Sequence, residues 1–111
     1  MNSLSEKVAI VTGASSGIGY ATSKLFAKEG ANVVVAARRQ AELDTLVEKI
    51  THAGGNAIAL AGDVKDQNFA KALVDLATGH FGGLDIAFNN AGTMKWMGIL
   101  AKFRFLNGTI L

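Results

Sequence analysis

The feature that most constrains the fold is a regular alternation of two kinds of segment along the chain. Short, mostly β-branched or small apolar runs lie at 7–12, 32–37, 57–61 and 84–88. Longer segments with apolar residues at helical spacing lie between them, at about 18–29, 40–53 and 66–81. Near-continuous apolar runs are typical of parallel strands that are buried on both faces. The order therefore predicts β-α-β-α-β-α-β, a Rossmann-like three-layer α/β/α fold with a parallel sheet that is truncated after the fourth strand.

Glycines mark the expected ends of the three helices. Gly30 follows the first helical segment, Gly54-Gly55 the second and Gly82-Gly83 the third. Glycine is favoured just beyond a helix because it adopts the left-handed backbone conformation without steric cost. In the first helix, the apolar residues at helical spacing are Ile18, Ala21, Leu25 and Phe26.

Composition excludes several classes of protein. A chain of 111 residues, half of them hydrophobic and 18% charged, is one small globular domain and not a disordered protein. It has no cysteine, so disulfides, thiolate metal sites and cysteine nucleophiles are excluded. Neither His52 nor His80 has a partner at metal-ligand spacing, so no metal site is predicted. Without a signal-peptide pattern or an apolar run of about 18 residues, we expect a soluble, cytoplasmic chain that does not enter a membrane.

The net charge of +2 is unevenly distributed. Residues 1–93 carry eight basic and nine acidic side chains, whereas residues 94–111 carry Lys95, Lys102 and Arg104 and no acid. A nucleic-acid-binding domain would need basic residues clustered over one of its faces. Because the positive charge is confined to the last segment, we expect no nucleic-acid partner.

A glycine-rich loop lies where the first strand gives way to the first helix, at Gly13-Ala-Ser-Ser-Gly17-Ile-Gly19. Glycines at this junction allow backbone N–H groups to approach a pyrophosphate at the helix N-terminus. Alone, such a loop is ambiguous, because glycine-rich turns also serve simply to close a tight bend. Here a strand precedes the loop, a helix follows, and a second strand comes next. That context favours nucleotide binding.

Three motifs together resemble the short-chain dehydrogenase/reductase family. The cofactor loop of that family is matched by Thr12, Gly13, Ala14, Ser15, Ser16, Gly17, Ile18 and Gly19. Asp63-Val64 falls where the family places an aspartate beside the adenine, and Asn89-Asn90-Ala91-Gly92 matches the motif after the fourth strand that touches the cofactor ribose. The resemblance covers roughly residues 5–93. It implies a Rossmann NAD(P)-binding half-domain at 1–93, followed by a tail at 94–111 that departs from the family pattern.

The end of the second strand bears on the choice between NAD and NADP. An acid at this position would bind the ribose 2′-hydroxyl and repel a 2′-phosphate. This chain instead has Ala37 followed by Arg38 and Arg39. Guanidinium groups pair with phosphate through two donors, so the resemblance implies NADP in preference to NAD. The alternative is that both arginines are simply solvated on a loop.

The resemblance also implies catalytic residues that these 111 residues do not contain. In the family, a Ser and a Tyr-x-x-x-Lys motif follow the fourth strand. The single tyrosine of this chain, Tyr20, does have Lys24 at that spacing, but it lies on the helix next to the glycine loop. A proton donor must first lie within reach of the substrate, whatever its pKa. We therefore assign no catalytic residue. By resemblance the chain is an NAD(P)-dependent oxidoreductase acting on a small carbonyl or alcohol. The alternatives are a non-catalytic nucleotide-binding module and an inactive truncated fragment.

Two further hypotheses concern the last segment and the sheet edge. Residues 94–111 fit either a strand or a helical stripe. When 102–111 is back-translated with chosen codons and read one base earlier, it gives a Ser-Leu-x-x-Trp pattern that looks like the start of the family's fourth helix. The tail is therefore compatible with a frameshift. We also expect self-association through the unpaired edge of the fourth strand.

Overall fold

The computed structural model describes residues 4–15, 17–63 and 65–89, with backbone only at 89. It contains four strands and three helices in strict alternation within these ranges. The elements are β1 (Val8–Thr12), α1 (Gly17–Lys28), β2 (Asn32–Ala37), α2 (Gln40–His52), β3 (Asn56–Ala61), α3 (Gln67–Phe81) and β4 (Ile86–Asn89). The predicted order of elements is confirmed.

The strands form one parallel sheet in the order β3-β2-β1-β4. β1 pairs with β2 on one side, where Val8 lies opposite Asn32, and with β4 on the other, where Ala9 lies opposite Ile86. All five residues of β1 are buried, while β3, at the edge of the described sheet, is only half-buried. Burial is therefore greatest in the central strand and lowest in β3.

Alternate residues of the strands enter two separate cores. One core lies under α1 and α2 and joins Val11, Val33 and Val35 of the sheet to helix residues such as Phe26 and Leu46. The other lies under α3 and contains the intervening strand residues together with the α3 side chains, among them Ile10, Val34, Phe69, Leu73 and Ala77. Side chains on a strand point alternately to opposite faces, so these uninterrupted apolar runs fill both faces at once. The predicted three layers are confirmed.

The helices end at the predicted glycines. Gly30 and Gly54 have φ values of 98° and 92°, in the left-handed region. Ala31 N–H donates to the Phe26 carbonyl and Gly55 N–H to the Ile50 carbonyl, so α1 and α2 both end in Schellman motifs. These turns lead the chain directly into β2 and β3.

The buried face of α1 differs from the one that apolar spacing predicts. Phe26 is buried, but Ile18 and Leu25 are 64% and 53% exposed. Thr22 and Ser23 face inward instead, and Ser23 Oγ donates to the Gly19 carbonyl at 2.8 Å. Because that bond satisfies the hydroxyl within its own helix, a serine can occupy a core position.

The start of β4 also differs from its prediction, since the strand begins at Ile86 rather than Leu84. Asp85, just before it, is bonded to Val8 at both its backbone and its side chain. Its N–H donates to the Val8 carbonyl, and its Oδ2 accepts from Val8 N–H, each at 2.9 Å. Asp85 thus ties the entry of β4 to the start of β1.

Several predicted features lie outside the described residues. They are Ser16, Val64, Asn90, Ala91, Gly92 and the segment 94–111. Within the residues that the structure does describe, no helix combines the length and the apolar character needed to cross a membrane.

Candidate functional site

The carboxyl ends of the four strands meet at one edge of the sheet. Thr12, Ala37, Ala61 and Asn89 are the last residues of their strands, and the predicted site residues follow them. The chain leaves β1 toward β2 on one side, while β4 lies on the other side of β1. In open α/β sheets, ligands bind in the crevice at such a reversal of strand order.

The loop after β1 is held to both neighbouring strands. Thr12 is fully buried, and its hydroxyl donates to the Phe88 carbonyl of β4 at 3.5 Å. Ala14 N–H donates to the Ala36 carbonyl of β2 at 3.1 Å. Gly13, between them, has a φ of 65°. The backbone of this loop therefore lies across the ends of three strands.

The N-terminus of α1 opens onto the same edge. The helix begins at Gly17, whose φ is 58°, and has no acidic residue in its first turn. A Cβ built on Gly17 would meet no other atom within 4 Å, so the space beside it is open. The first N–H groups of a helix lack intrahelical partners and carry a partial positive charge. This end of α1 is thus suited to an anion, and Ile18 presents an exposed apolar side chain beside it.

The two arginines after β2 have different surroundings. Arg38 Nη2 lies 3.5 Å from Asp63 Oδ1, across the gap between the ends of β2 and β3. Arg39, the N-cap residue of α2, makes no capping bond with its side chain, and its Nη1 lies 3.4 Å from Glu42 Oε2 on the same helix. Both guanidinium groups are largely exposed. Only Arg38 is therefore joined to another predicted site residue.

Asp63 is held in place by the backbone of its own loop. Its Oδ1 accepts from Lys65 N–H at 2.9 Å. This bond lowers the pKa of the Asp63 carboxyl below its usual value; desolvation opposes the shift, and the charge of Arg38 adds to it. Just before it, Gly62 N–H donates to the Ala37 carbonyl at 2.9 Å, which fixes the loop to the end of β2. Asp63 is consequently an anion at neutral pH beside the Arg38 guanidinium.

Tyr20 and Lys24, which share the spacing of the family's catalytic pair, lie elsewhere. The Tyr20 ring packs against the core beneath α1 and α2. Lys24 Nζ lies 5.6 Å from its centroid, and Lys49 Nζ, near the C-terminal end of α2, lies 5.5 Å away. Residue 20 itself lies in the first turn of α1, next to the glycine loop, but its ring contacts lysines of α1 and α2. Tyr20 is therefore a packing residue between two helices.

Comparison with known proteins identifies the family. The sequence profile of the short chain dehydrogenases matches residues 7–106. The chain belongs to this family. The match continues past residue 93, where the sequence motifs place the end of the cofactor-binding half, and that boundary stays a prediction.

Relatives of this short-chain dehydrogenase are enzymes of greater length. An uncharacterized oxidoreductase of Methylorubrum extorquens is 49% identical over 89% of this chain and 40% of its own length. The L-sorbose reductase of Gluconobacter frateurii, solved with NADPH and L-sorbose, is 42% identical with a TM-score of 0.75, over 80% of this chain and 34% of that one. The Escherichia coli hydroxysteroid dehydrogenase is 39% identical with a TM-score of 0.78, over 81% and 38% of the two chains. This chain thus spans about two fifths or less of the length of these relatives.

The sequence motifs indicate which residues form the candidate site, but not that Arg38 and Asp63 contact each other within it. The structure brings Gly13, Gly17, Arg38 and Asp63 to the same edge of the sheet, whereas Arg39 is bonded to its own helix. The Arg38–Asp63 pair joins residues 25 positions apart in sequence. The signal that could have predicted this pair was Arg38 directly after one strand and Asp63, one glycine beyond the end of the next strand along the chain.

Proposed function

We propose that these residues form the NADP(H)-binding part of a short-chain dehydrogenase/reductase that acts on a small carbonyl or alcohol substrate in the cytoplasm. The observation that carries the choice of NADP is Arg38, which follows the end of β2 where an acid would favour NAD. A bound nicotinamide cofactor supplies or accepts the hydride. The described residues bind and orient the cofactor.

Each part of the edge suits one part of the cofactor. The N-terminus of α1 and the open space at Gly17 suit the pyrophosphate, which backbone N–H groups can approach closely. Arg38 suits the 2′-phosphate, and the exposed carboxylate of Asp63 suits the amino edge of the adenine. The predicted roles of Ser16, Val64 and 89–92 complete this arrangement. The neighbour that was solved with NADPH, 42% identical to this chain, supports the choice of cofactor.

Arg38 is the stronger candidate for the 2′-phosphate. Its contact with Asp63 uses one terminal nitrogen and is long and exposed, so the remaining N–H groups can pair with a phosphate. Arg39 makes an equally long and exposed contact, but with Glu42 of its own helix and not with a predicted site residue. It is therefore the weaker candidate for the 2′-phosphate.

The second candidate function is a nucleotide-binding module without turnover. It is favoured by the position of Tyr20, the single tyrosine of these 111 residues, whose ring lies between α1 and α2 with both lysines against it. The chain alone should then show no oxidation of NADPH with any carbonyl substrate. Turnover that disappears in Tyr20→Phe would contradict this.

The test of cofactor choice compares Arg38→Ala with Arg39→Ala by fluorescence titration of NADPH and NADH. We expect Arg38→Ala to weaken NADPH about tenfold or more while leaving NADH within about twofold, because a lost charge-assisted bond to phosphate affects only NADPH. Arg39→Ala, the matched control, should change NADPH less. Equal losses for both cofactors in Arg38→Ala would refute the assignment.

A further inference from the structure

A groove lies between the C-terminal halves of α1 and α2, at the end of the sheet opposite the candidate cofactor site. Its volume is about 580 Å³, within the range of small-molecule sites. The inner surface is apolar, formed by Leu25, Ala27, Ile50 and Ala53. Leu25 is 53% exposed here, so the groove offers uncovered apolar area.

Three lysines surround this apolar surface. They are Lys24 and Lys28 of α1 and Lys49 of α2. Among the described residues, the ion pairs within 4.0 Å involve Arg38 and Arg39 only, so none of the three ammonium groups has a carboxylate partner there. The adjoining recess contains one carboxylate, Glu48, and one imidazole, His52. The groove therefore has an excess of positive charge.

Two of these lysines share one neutral ring. Lys24 Nζ and Lys49 Nζ lie 5.6 and 5.5 Å from the Tyr20 centroid. A ring attracts a cation but does not neutralise it, and the adjoining recess supplies one carboxylate, Glu48, for these two ammonium groups. Compensation of the helix dipole explains part of this lysine cluster, because Lys28 and Lys49 lie in the last turns of α1 and α2. It leaves Lys24 unexplained, since that residue lies a full turn earlier.

The ends of the helices indicate which anion the groove suits. The N–H groups of Gly30, Ala31, Gly54 and Gly55 all donate to carbonyls within their own turns, so they offer no donors to a ligand. The carboxyl ends of two helices disfavour a doubly charged anion more strongly than a singly charged one, and phosphate sites characteristically use helix N-termini. Ammonium groups at the rim and an apolar inner surface suit a single negative charge on a hydrocarbon body.

We propose that this groove binds an aliphatic monocarboxylate of medium chain length, separately from the cofactor. The carboxylate lies between the ammonium groups of Lys24 and Lys49. The alkyl chain lies along Leu25 and Ile50. The proposal does not depend on the choice of cofactor, because the two sites are at opposite ends of the sheet.

Octanoate is the probe, with butyrate and inorganic phosphate as comparisons, and binding is followed by ¹H–¹⁵N NMR of the 111-residue chain. We expect the Gly54 and Gly55 amide resonances to shift saturably with octanoate. Affinity should rise about tenfold or more from butyrate to octanoate as methylene groups are buried. The double variant Lys24→Met/Lys49→Met should weaken octanoate about fivefold or more. Lys71→Met, which removes one positive charge at an exposed position of α3, should leave it unchanged.

Three results would overturn the proposal. Phosphate shifting the same amides as strongly as octanoate would indicate a general basic surface. Weakening of octanoate in Lys71→Met would show that net charge governs binding. Shifts confined to the Gly13–Gly19 loop would place octanoate at the cofactor site.

Discussion

Two glycine-to-alanine substitutions are expected to change stability in opposite directions, and the comparison tests how the loop carrying Asp63 is packed. A Cβ on Gly62 would lie 2.5 Å from Cδ1 and Cε1 of the Phe69 ring. Phe69 is 9% exposed and belongs to the core beneath α3. At Gly79, exposed on α3, a Cβ would meet no atom within 4 Å. Neither glycine has a positive φ, so packing decides the result.

The magnitudes follow from these contacts. Ordinary contact needs about 3.5–4 Å, so the Phe69 ring must move by about 1 Å, and overpacking of this kind costs about 1–3 kcal/mol. Alanine also restricts the backbone of the unfolded chain, which raises the free energy of unfolding by about 0.4–1 kcal/mol. We therefore expect Gly62→Ala to lower the free energy of unfolding by about 1–2 kcal/mol. Gly79→Ala should raise it by about 0.5–1 kcal/mol, as in other exposed helix positions.

Thermal unfolding followed by circular dichroism measures the difference. At about 4–8 °C per kcal/mol for a domain of this size, the Tm values of the two variants should differ by about 10 °C. The double variant Gly62→Ala/Phe69→Leu separates ring contact from other causes, since its combined cost should be smaller than the sum of the single costs. Equal Tm values for Gly62→Ala and Gly79→Ala, or additive costs in the double variant, would refute the reasoning.

The remaining predictions concern the β1–β4 junction, the Asp63 carboxyl and the sheet edge. Asp85→Ala should lower the free energy of unfolding by about 1–3 kcal/mol in urea denaturation, because Val8 N–H loses a charged acceptor; an unchanged midpoint would contradict this. Because the folded pKa of Asp63 is lowered, the stabilisation by this group is complete above about pH 4 and is lost as the pH falls through the folded pKa. In Arg38→Ala, an NMR titration should still place this pKa below its usual value, since Lys65 N–H is the larger cause; a return to the usual value would contradict the assignment. Light scattering should show the isolated chain self-associating through β4, and a monomer with a sharp thermal transition would contradict that expectation.

The sequence predicts the bounds of strands and helices well where the apolar pattern and the flanking residues indicate the same boundary. The bounds of β2 agree residue for residue, because a β-branched apolar run lies between Ala31, after the Gly30 turn, and Arg38. The ends of α1 and α2 follow from the left-handed conformation that Gly30 and Gly54 adopt. In each case, a local physical cause is visible in the residues themselves.

The predictions that failed depended on side-chain hydrogen bonds that an apolar pattern does not reveal. The inward face of α1 carries Thr22 and Ser23 because the hydroxyl of Ser23 is satisfied inside the helix, which apolar periodicity does not detect. β4 begins at Ile86 because the Asp85 carboxylate is bonded to Val8, 77 residues earlier. The same limit applies to the site, where Arg38 and Arg39 are equivalent in sequence and only the structure separates their partners.

The position of β1 between β2 and β4 sets an order of assembly. During synthesis from the N-terminus, β1, α1 and β2 can associate once about forty residues are available. The other edge of β1 must wait for β4, because Asp85 closes a segment of 77 residues back to Val8, and closing long segments is entropically costly. The crevice between the ends of β1 and β4 therefore forms only after β1 and β2 can pair. A cofactor that binds there can stabilise the chain only once β4 is in place, so it does not guide the earlier steps.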